Sequence, residues 1–336
     1  MAKYLVAICI PTYNRGRFLP HTLDSILGQI PTDMEELVQV VVSDNASDDG
    51  TQQFMTELVT RHPNVTYFRW SENQGADRNY LKVVELAQAE FCWFLGSDDR
   101  LAPGALSRVL DFLREGVTDI LIFDRSEIYE GSQERRIGHW TGSAAGRCFN
   151  TSHEPRSLLR YLDECNSPGG VFSYLSVIVF RKRLWDCIPG AEKFVGTAYS
   201  HVYILLSMLR RGVNFRYLPE ALVICTMGND SFREGNSLLA LYRRVKLDID
   251  GYREIAFSVF GSDSEEASAI MGMLGRAHRL SGMLKLKMRM LASLQFQSQA
   301  RSLDLLMKNS GFWGRYVVLS FVSLVQPLFA FLKHRE

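Results

Sequence analysis

Two adjacent carboxylates, Asp98 and Asp99, are the residues of this sequence whose type and spacing most directly suggest chemistry. They follow an apolar run at 91–95 that has the length and composition of a fully buried strand, and Gly96 interrupts that run. Ligands of open α/β sheets bind at the carboxyl ends of the strands. Because adjacent carboxylates repel each other, and because Mg²⁺ and Mn²⁺ take oxygen ligands, the pair predicts a divalent-metal site. A solvated acidic turn is the alternative.

Polar side chains also follow the three strands predicted before this run, at 5–10, 38–42 and 65–70. The loops after them contain Thr12, Tyr13 and Arg15, then Asp44 and Asn45, then Asp77, Arg78 and Asn79. If the strands are parallel, all four loops meet at one edge of the sheet. Together these side chains suit a nucleoside diphosphate.

Three of these side chains have both a binding and a structural interpretation. Asp44 could accept a hydrogen bond from a ribose hydroxyl or a base N–H, or it could close an Asx turn or cap a helix. Tyr13 could flank a base, or it could pack at the base of its loop. Arg78 could pair with phosphate or with a carboxylate of the metal site, or it could form a structural ion pair.

The elements that would position these loops alternate between strand and helix four times in about the first 115 residues, as in a parallel sheet with helices on both faces. No G-x-G-x-x-G follows the first strand, and no G-x-x-x-x-G-K-[ST] occurs. The sequence therefore disfavours a dinucleotide-binding Rossmann domain and a P-loop ATPase.

Composition limits the function classes further. The chain has 336 residues, 46% of them hydrophobic, and a net charge of +1, which predicts a packed core and argues against a nucleic-acid binder. Its six cysteines include no C-x-x-C pair, so a zinc site is not expected. The apolar run before Pro11 is too short for a signal peptide, so a cytoplasmic protein is expected.

Four segments together resemble a known family. They read A-I-C-I-P-T-Y-N-R at 7–15, S-D-N-A-S-D-D-G-T at 43–51, E-N-Q-G-A-D-R-N at 72–79 and F-L-G-S-D-D at 94–99. In this order and spacing they resemble a family 2 glycosyltransferase, over roughly residues 4–232. The sequence looks most like the bacterial enzymes that build lipopolysaccharide O-antigen or related surface glycans, including the abequosyltransferase-like group.

The resemblance implies a GT-A type, Rossmann-like, mostly parallel sheet flanked by helices, and with it a catalytic domain at 1–235. From about residue 238 onward the residue pattern is helical only, which predicts an all-helical C-terminal region at 236–336 that associates with a membrane or forms oligomers. The donor nucleotide would be bound by these residues: Pro11, Thr12, Tyr13, Arg15, Asp44, Asn45, Arg78, Ser97 and Asp98. Asp98 and Asp99 would hold Mn²⁺ or Mg²⁺. The family often has a further Asp where this chain has Ser97, so the metal contact would rest on one or two carboxylates.

The catalytic base is where the sequence departs from the family. The family usually has Glu-Asp at the start of a helix like the one predicted at 199–211, with the Asp as base, whereas this chain has Ser200-His201. His201 could act as the base, or it could be a packed histidine at a helix start. Asp230 is an alternative base or a partner of the metal site, and otherwise a loop cap.

The rest of the second half is predicted as strands at 119–124 and 174–180, a mobile loop at 130–150 near the acceptor, and helices at 238–260 and 265–291. Residues 316–332 carry no charge and are flanked by basic residues, which suits a helix lying in the cytoplasmic leaflet of a membrane. A true span, or burial against the catalytic domain or in a homo-oligomer interface, is the alternative.

The resulting prediction is a metal-dependent glycosyltransferase at the cytoplasmic face of the inner membrane. It would transfer a sugar from a nucleotide-sugar donor to a hydroxyl of a lipid-linked glycan, and the resemblance implies inversion of the anomeric carbon. A nucleotidyltransferase and a catalytically silent glycan- or nucleotide-binding scaffold at the membrane are the alternatives.

Overall fold

The computed structural model describes residues 2–31, 34–129, 135–142, 147–151, 154, 156–228, 237–278 and 280–309. Two predicted features, Asp230 and the uncharged segment at 316–332, lie outside these residues. The described residues divide into two compact units. The first takes in 1–165 and 169–229, and the second takes in 166–168 and the residues after 229.

A mixed sheet forms the centre of the first unit. Its described strands are β1 (Tyr4–Thr12), β2 (Val38–Asp44), β3 (Val65–Arg69), β4 (Ala89–Phe94), β5 (Arg100–Leu101), β6 (Ile120–Tyr129), β7 (Arg135–Gly138), β8 (Arg147–Asn150), β9 (Ile178–Arg181) and β10 (Asn214–Met227). Their order is β3-β2-β1-β4-β9-β6-β10-β5, with β7 on β6 and β8 on β10. Every residue of β2 is buried, as expected of a central strand covered on both faces.

The sheet is parallel where the sequence predicted it to be. β1, β2, β3 and β4 pair in parallel, and β10 pairs in parallel with β6. β9 runs antiparallel between β4 and β6, so these two strands point the same way. The carboxyl ends of β1, β2, β4 and β6 therefore lie at one edge of the sheet.

Helices connect the strands of the first unit. They are α1 (Leu19–Leu27), α2 (Thr51–Arg61), α3 (Ala76–Glu85), α4 (Ala105–Arg114), α5 (Ser157–Glu164), α6 (Lys182–Asp186) and α7 (Ser200–Arg211). α1 shows the pattern, since Leu19, Leu23 and Ile26 are buried at helical spacing. α2 and α4 begin after Gly50 and Gly104, whose positive φ angles of 85° and 78° suit glycine.

Four sequence-based expectations differ from the observed elements. The segment 130–150, predicted as a loop, contains β7 and β8. The strand predicted at 174–180 begins only at Ile178, since Leu175–Val177 is a 3₁₀ turn. The helix predicted at 265–291 is two helices. β10 was not predicted, because Pro219 interrupts its pattern; the register of β10 against β6 shifts beyond Leu218, around that proline.

The second unit is helical. It contains α8 (Leu238–Phe260), α9 (Glu265–Ala277), α10 (Leu280–Leu291) and α11 (Gln297–Asn309). Ser237 and Ser264 begin α8 and α9 and accept hydrogen bonds from the backbone N–H groups three residues on, each at 3.1 Å. Across the described residues, no helix combines the length and apolar character needed to cross a bilayer.

Candidate active site

Asp98 and Asp99 lie directly after β4, at the carboxyl edge of the sheet. Asp98 is partly exposed, and one of its carboxylate oxygens lies 3.9 Å from Nη2 of Arg15. Asp99 is buried, with 4% of its surface exposed. The two neighbouring carboxylates thus have different environments, one facing outward beside an arginine and one enclosed.

Hydrogen bonds fix the buried carboxylate of Asp99. Its Oδ2 accepts from the hydroxyl of Ser176 and, at 2.6 Å, from Tyr174 Oη, while its Oδ1 accepts from the backbone N–H of Thr226 at 3.4 Å. Burial and the negative charge of Asp98 raise the pKa of Asp99 to about 7, against the effect of these hydrogen bonds. A bound cation would favour the ionised form.

The chemistry of the two carboxylates fits a divalent metal. A Cβ on Gly96 would stand 3.1 Å from Asp98 Oδ1 and 3.1 Å from Asp99 Oδ2, so both oxygens face the same small space. In the described ranges no group of three histidine, cysteine or acidic side chains could hold an ion. Two carboxylates therefore suit an ion such as Mg²⁺ or Mn²⁺, which completes its shell with waters and substrate phosphates.

The loop after β1 brings Arg15 to this site. Pro11 and Thr12 are buried at the end of β1, and Thr12 Oγ1 has no hydrogen-bond partner among the residues that the structure describes. Tyr13 is 45% exposed and so is available to a ligand. Arg15, beside Asp98, places a positive charge where a diphosphate would need one.

Hydrogen bonds join the loops after β1 and β2. The backbone N–H of Asn14 donates to Ser47 Oγ at 2.9 Å, and the N–H of Asp48 donates to Asn14 Oδ1 at 3.0 Å. The N–H of Gly16 donates to Asp49 Oδ2 at 2.6 Å. These bonds hold the two loops in one arrangement before any ligand arrives.

Asp44 and Asn45 are engaged within the protein. Asp44 is fully buried; its Oδ1 accepts from the backbone N–H of Ser47 at 2.9 Å and its Oδ2 from Tyr67 Oη at 2.7 Å. Asn45 donates from Nδ2 to Asn73 and accepts from the N–H of Gln74, both at 2.8 Å. Both side chains hold the shape of their loops, which is the structural interpretation that the sequence left open for Asp44.

The remaining donor-site candidates lie at the same edge but differ in exposure. Arg78 is exposed and donates to Gln74 Oε1 at 3.2 Å, so it is not part of a buried ion pair. Ser97 is buried, and its backbone carbonyl accepts from Thr22 Oγ1 at 3.0 Å.

His201 is enclosed at the start of α7. The residue is only 1% exposed, and its Nε2 donates to the carbonyl of Phe172 at 2.9 Å. Burial lowers the pKa of His201 to about 4. Its ring packs edge-to-face on Tyr80, with centroids 5.2 Å apart. This is the environment of a packed histidine, and an acceptor hydroxyl has no access to the ring in this structure.

Asp77 was given no role of its own from the sequence, yet it organises the start of α7. Its Oδ2 accepts from the N–H groups of Gly196 and Ala198 at 2.8 and 2.9 Å, and its Oδ1 accepts from the N–H of Ser200 at 2.9 Å. The three donors lie more than a hundred positions after Asp77 in the sequence, so no local pattern links them to it. Tyr174 and Ser176, which hold Asp99, were missed for the same reason, since no local pattern links them to the carboxylates.

A family model and several known proteins match this sequence. A family model described as "Glycosyl transferase family 2" matches residues 7–180. Abequosyltransferase RfbV of Salmonella typhimurium is 36% identical over 257 residues, which cover 75% of this chain and 74% of that protein. A Campylobacter jejuni protein, GalNAc(5)-diNAcBac-PP-undecaprenol beta-1,3-glucosyltransferase, is 31% identical over 116 residues, covering 34% of this chain and 36% of that protein.

Two solved structures share the fold. S. aureus TarS 1–349 in complex with UDP-GlcNAc gives a TM-score of 0.64 at 18% identity, covering 91% of this chain and 81% of that one. The mannosyltransferase PcManGT of Pyrobaculum calidifontis, in complex with GDP-Man and Mn²⁺, gives a TM-score of 0.52 at 16% identity, covering 94% and 86%. At these identities the likeness concerns the fold alone.

Proposed function

Because the chain belongs to glycosyl transferase family 2, we propose that Asp98, Asp99 and Arg15 bind the diphosphate of its nucleotide-sugar donor together with a divalent metal. The family resemblance carried by the four sequence motifs is confirmed, and so is the predicted fold class. The chain is therefore a glycosyltransferase that uses a nucleotide-sugar donor.

The observation that carries the metal proposal is the paired carboxylates beside Gly96, with Arg15 3.9 Å from Asp98. A bound metal would neutralise the negative charge that develops on the departing nucleoside diphosphate. Arg15 would bind the same phosphates, and the hydrogen bonds of Asp99 to Tyr174 and Ser176 would keep its carboxylate oriented. The Mn²⁺ and GDP-Man in the PcManGT structure, which has the same fold, support this assignment.

For the acceptor, we propose a hydroxyl of a lipid-linked surface glycan. The similar Salmonella protein is an abequosyltransferase, and the similar Campylobacter protein is a glucosyltransferase whose name specifies an undecaprenol-linked acceptor. Transfer would invert the configuration at the anomeric carbon. Determining the anomeric configuration of the product would test that. Such an acceptor would place the enzyme at the cytoplasmic face of the inner membrane.

Calorimetric titration tests the donor site. UDP, GDP, CDP and dTDP are titrated into the full chain, each with Mn²⁺, with Mg²⁺ and with EDTA. We expect one diphosphate to bind tightly only when metal is present. Asp98→Asn should weaken that binding by at least about 10–100-fold, the loss seen when even an outer partner of a metal site is removed.

Asp111→Asn is the matched control, because the side chain of Asp111 is 59% exposed on α4, 3.8 Å from Arg114. It should bind as the wild type does. A diphosphate affinity that changes neither when metal is removed nor in Asp98→Asn would contradict the proposed metal site.

A further inference from the structure

We propose that His139, oriented by the buried carboxylate of Asp124, is the catalytic base that takes the proton of the acceptor hydroxyl. Asp124 is then a positioning residue. The inference rests on the proposed function. It names a catalytic base in place of His201, whose ring is too buried to reach an acceptor hydroxyl. Neither residue was a candidate from the sequence, because they lie on different elements.

The geometry is that of a histidine held by a carboxylate. His139 Nδ1 lies 2.6 Å from Asp124 Oδ2. The side chain of His139 is 46% exposed, whereas that of Asp124 is fully buried. A buried carboxylate that orients an exposed imidazole is the arrangement by which many enzymes prepare a general base.

The other partners of Asp124 identify the tautomer. Its Oδ1 accepts from the backbone N–H of Trp140 at 3.1 Å, and Tyr217 Oη donates to Oδ1 at 2.9 Å. A carboxylate that receives these donors acts as an acceptor toward Nδ1–H of His139 as well. The lone pair of His139 is then on Nε2, where the described residues place no hydrogen-bond partner.

Strand register puts this pair at the edge of the sheet where the donor diphosphate is proposed to bind. Val179 of β9 pairs with Trp93 of β4 on one side and with Leu121 of β6 on the other, so those two residues are level across the sheet. Three residues further along each chain are Gly96 and Asp124. Asp124 is therefore level with the turn that presents Asp98 and Asp99.

Aromatic side chains connect Asp99 to the residue next to His139. Tyr174 donates to Asp99 at 2.6 Å, and its ring lies 5.8 Å from the ring of Trp140, the residue after His139. The guanidinium of Arg125 covers both rings, 4.0 Å from that of Trp140 and 5.0 Å from that of Tyr174. A sugar whose diphosphate is held at Asp98 and Asp99 would thus lie close to His139 at the same edge of the sheet.

Other titratable groups lie close to the pair. Tyr217 from β10 and Tyr161 from α5 face Asp124, while Arg125 and Glu127 from β6 lie against Gly138, the residue before His139. Arg125 and Glu127 form an ion pair with each other, so neither neutralises the carboxylate of Asp124.

The chemical step is balanced without any further reactant. The oxygen of the acceptor hydroxyl forms a bond to the anomeric carbon as its proton passes to Nε2 of His139. The bond between that carbon and the diphosphate oxygen breaks, and its electron pair leaves with the nucleoside diphosphate. His139 then returns the proton to solvent, since its ring is exposed.

Turnover is measured as release of nucleoside diphosphate when water is the acceptor, with UDP-glucose, GDP-mannose, CDP-glucose and dTDP-glucose as probes. His139→Gln should lower kcat by about 10²–10⁴-fold, the usual contribution of a general base. Its diphosphate affinity in the presence of Mn²⁺, measured by calorimetry, should stay at the wild-type value.

His62→Gln is the matched control, because His62 ends α2 and so lies away from the carboxyl edge; it should behave as the wild type. Wild-type kcat in His139→Gln, or a joint loss of kcat and diphosphate binding, would overturn the catalytic role of His139. Failure of the wild type itself to bind any diphosphate with Mn²⁺ would overturn the proposed metal-bound donor site, and this inference with it.

Discussion

Asp77 offers the sharpest test of how the fold holds the start of α7. Its carboxylate is buried and accepts three backbone N–H groups between Gly196 and Ser200, at 2.8 to 2.9 Å. Among the residues that the structure describes, these three donors have no other acceptor. Removing the carboxylate therefore leaves buried N–H groups without partners.

The loss in free energy of unfolding depends on how the three hydrogen bonds are divided between the two carboxylate oxygens of Asp77. In Asp77→Asn the single remaining oxygen can keep the two bonds of Oδ2, while an amide N–H₂ faces the N–H of Ser200. One charge-assisted hydrogen bond is worth about 1.5–3 kcal/mol, so the free energy of unfolding should fall by about that much. Asp77→Ala removes all three bonds and should cost about 3–5 kcal/mol, the range for breaking a buried polar network.

Thermal unfolding measures this difference. A loss of 1 kcal/mol lowers Tm by about 2–4 °C in a unit of 150–250 residues, so Asp77→Asn should lower Tm by about 3–12 °C. Hydrogen exchange should speed up at Gly196, Ala198 and Ser200. Glu85→Gln, on the same helix with a side chain 68% exposed, is the control and should change stability by less than about 0.5 kcal/mol. An Asp77→Ala protein with wild-type Tm and wild-type exchange would refute the reasoning.

Two further predictions concern His201 and Trp140. Burial lowers the pKa of His201 to about 4 from 6.5, so the unfolded chain takes up this proton first and stability is lost as pH falls between those values. His201→Gln should flatten that loss in urea unfolding between pH 7 and pH 4.5, and an unchanged pH dependence would contradict the burial argument. At Gly169 an added Cβ would lie 2.1 Å from a ring atom of Trp140, so Gly169→Ala should lower Tm and alter tryptophan fluorescence. Gly142→Ala, with nothing within 4 Å of its Cβ, should do neither.

The local part of the fold was readable from the sequence. Apolar runs such as 5–10 and 38–42 appear as the buried strands β1 and β2, because a central parallel strand is covered on both faces and leaves no polar alternation. Polar loops after those strands had to meet at one edge once the strands were parallel. Asp98 and Asp99 were predicted from that reasoning, and they do lie at that edge.

Where a periodic pattern was broken, prediction failed for a physical reason. β10 contains Pro219, which cannot donate to a ladder and is accommodated by a shift in register. β7 and β8 lie in a polar segment whose strands are stabilised by pairing with β6 and β10, which no local preference reveals.

The sequence by itself determined the family, the parallel sheet and the edge at which the loops with Asp98 and Asp99 lie, because these depend on residue type and on spacing along the chain. Only the tertiary structure decided which of the polar side chains are buried and bonded within the protein and which are exposed. It enclosed His201, used Asp44 and Asp77 to hold loops, and brought Asp124 of β6 together with His139, which follows β7. Burial and hydrogen bonds between distant residues set these roles, and neither leaves a periodic trace in the sequence.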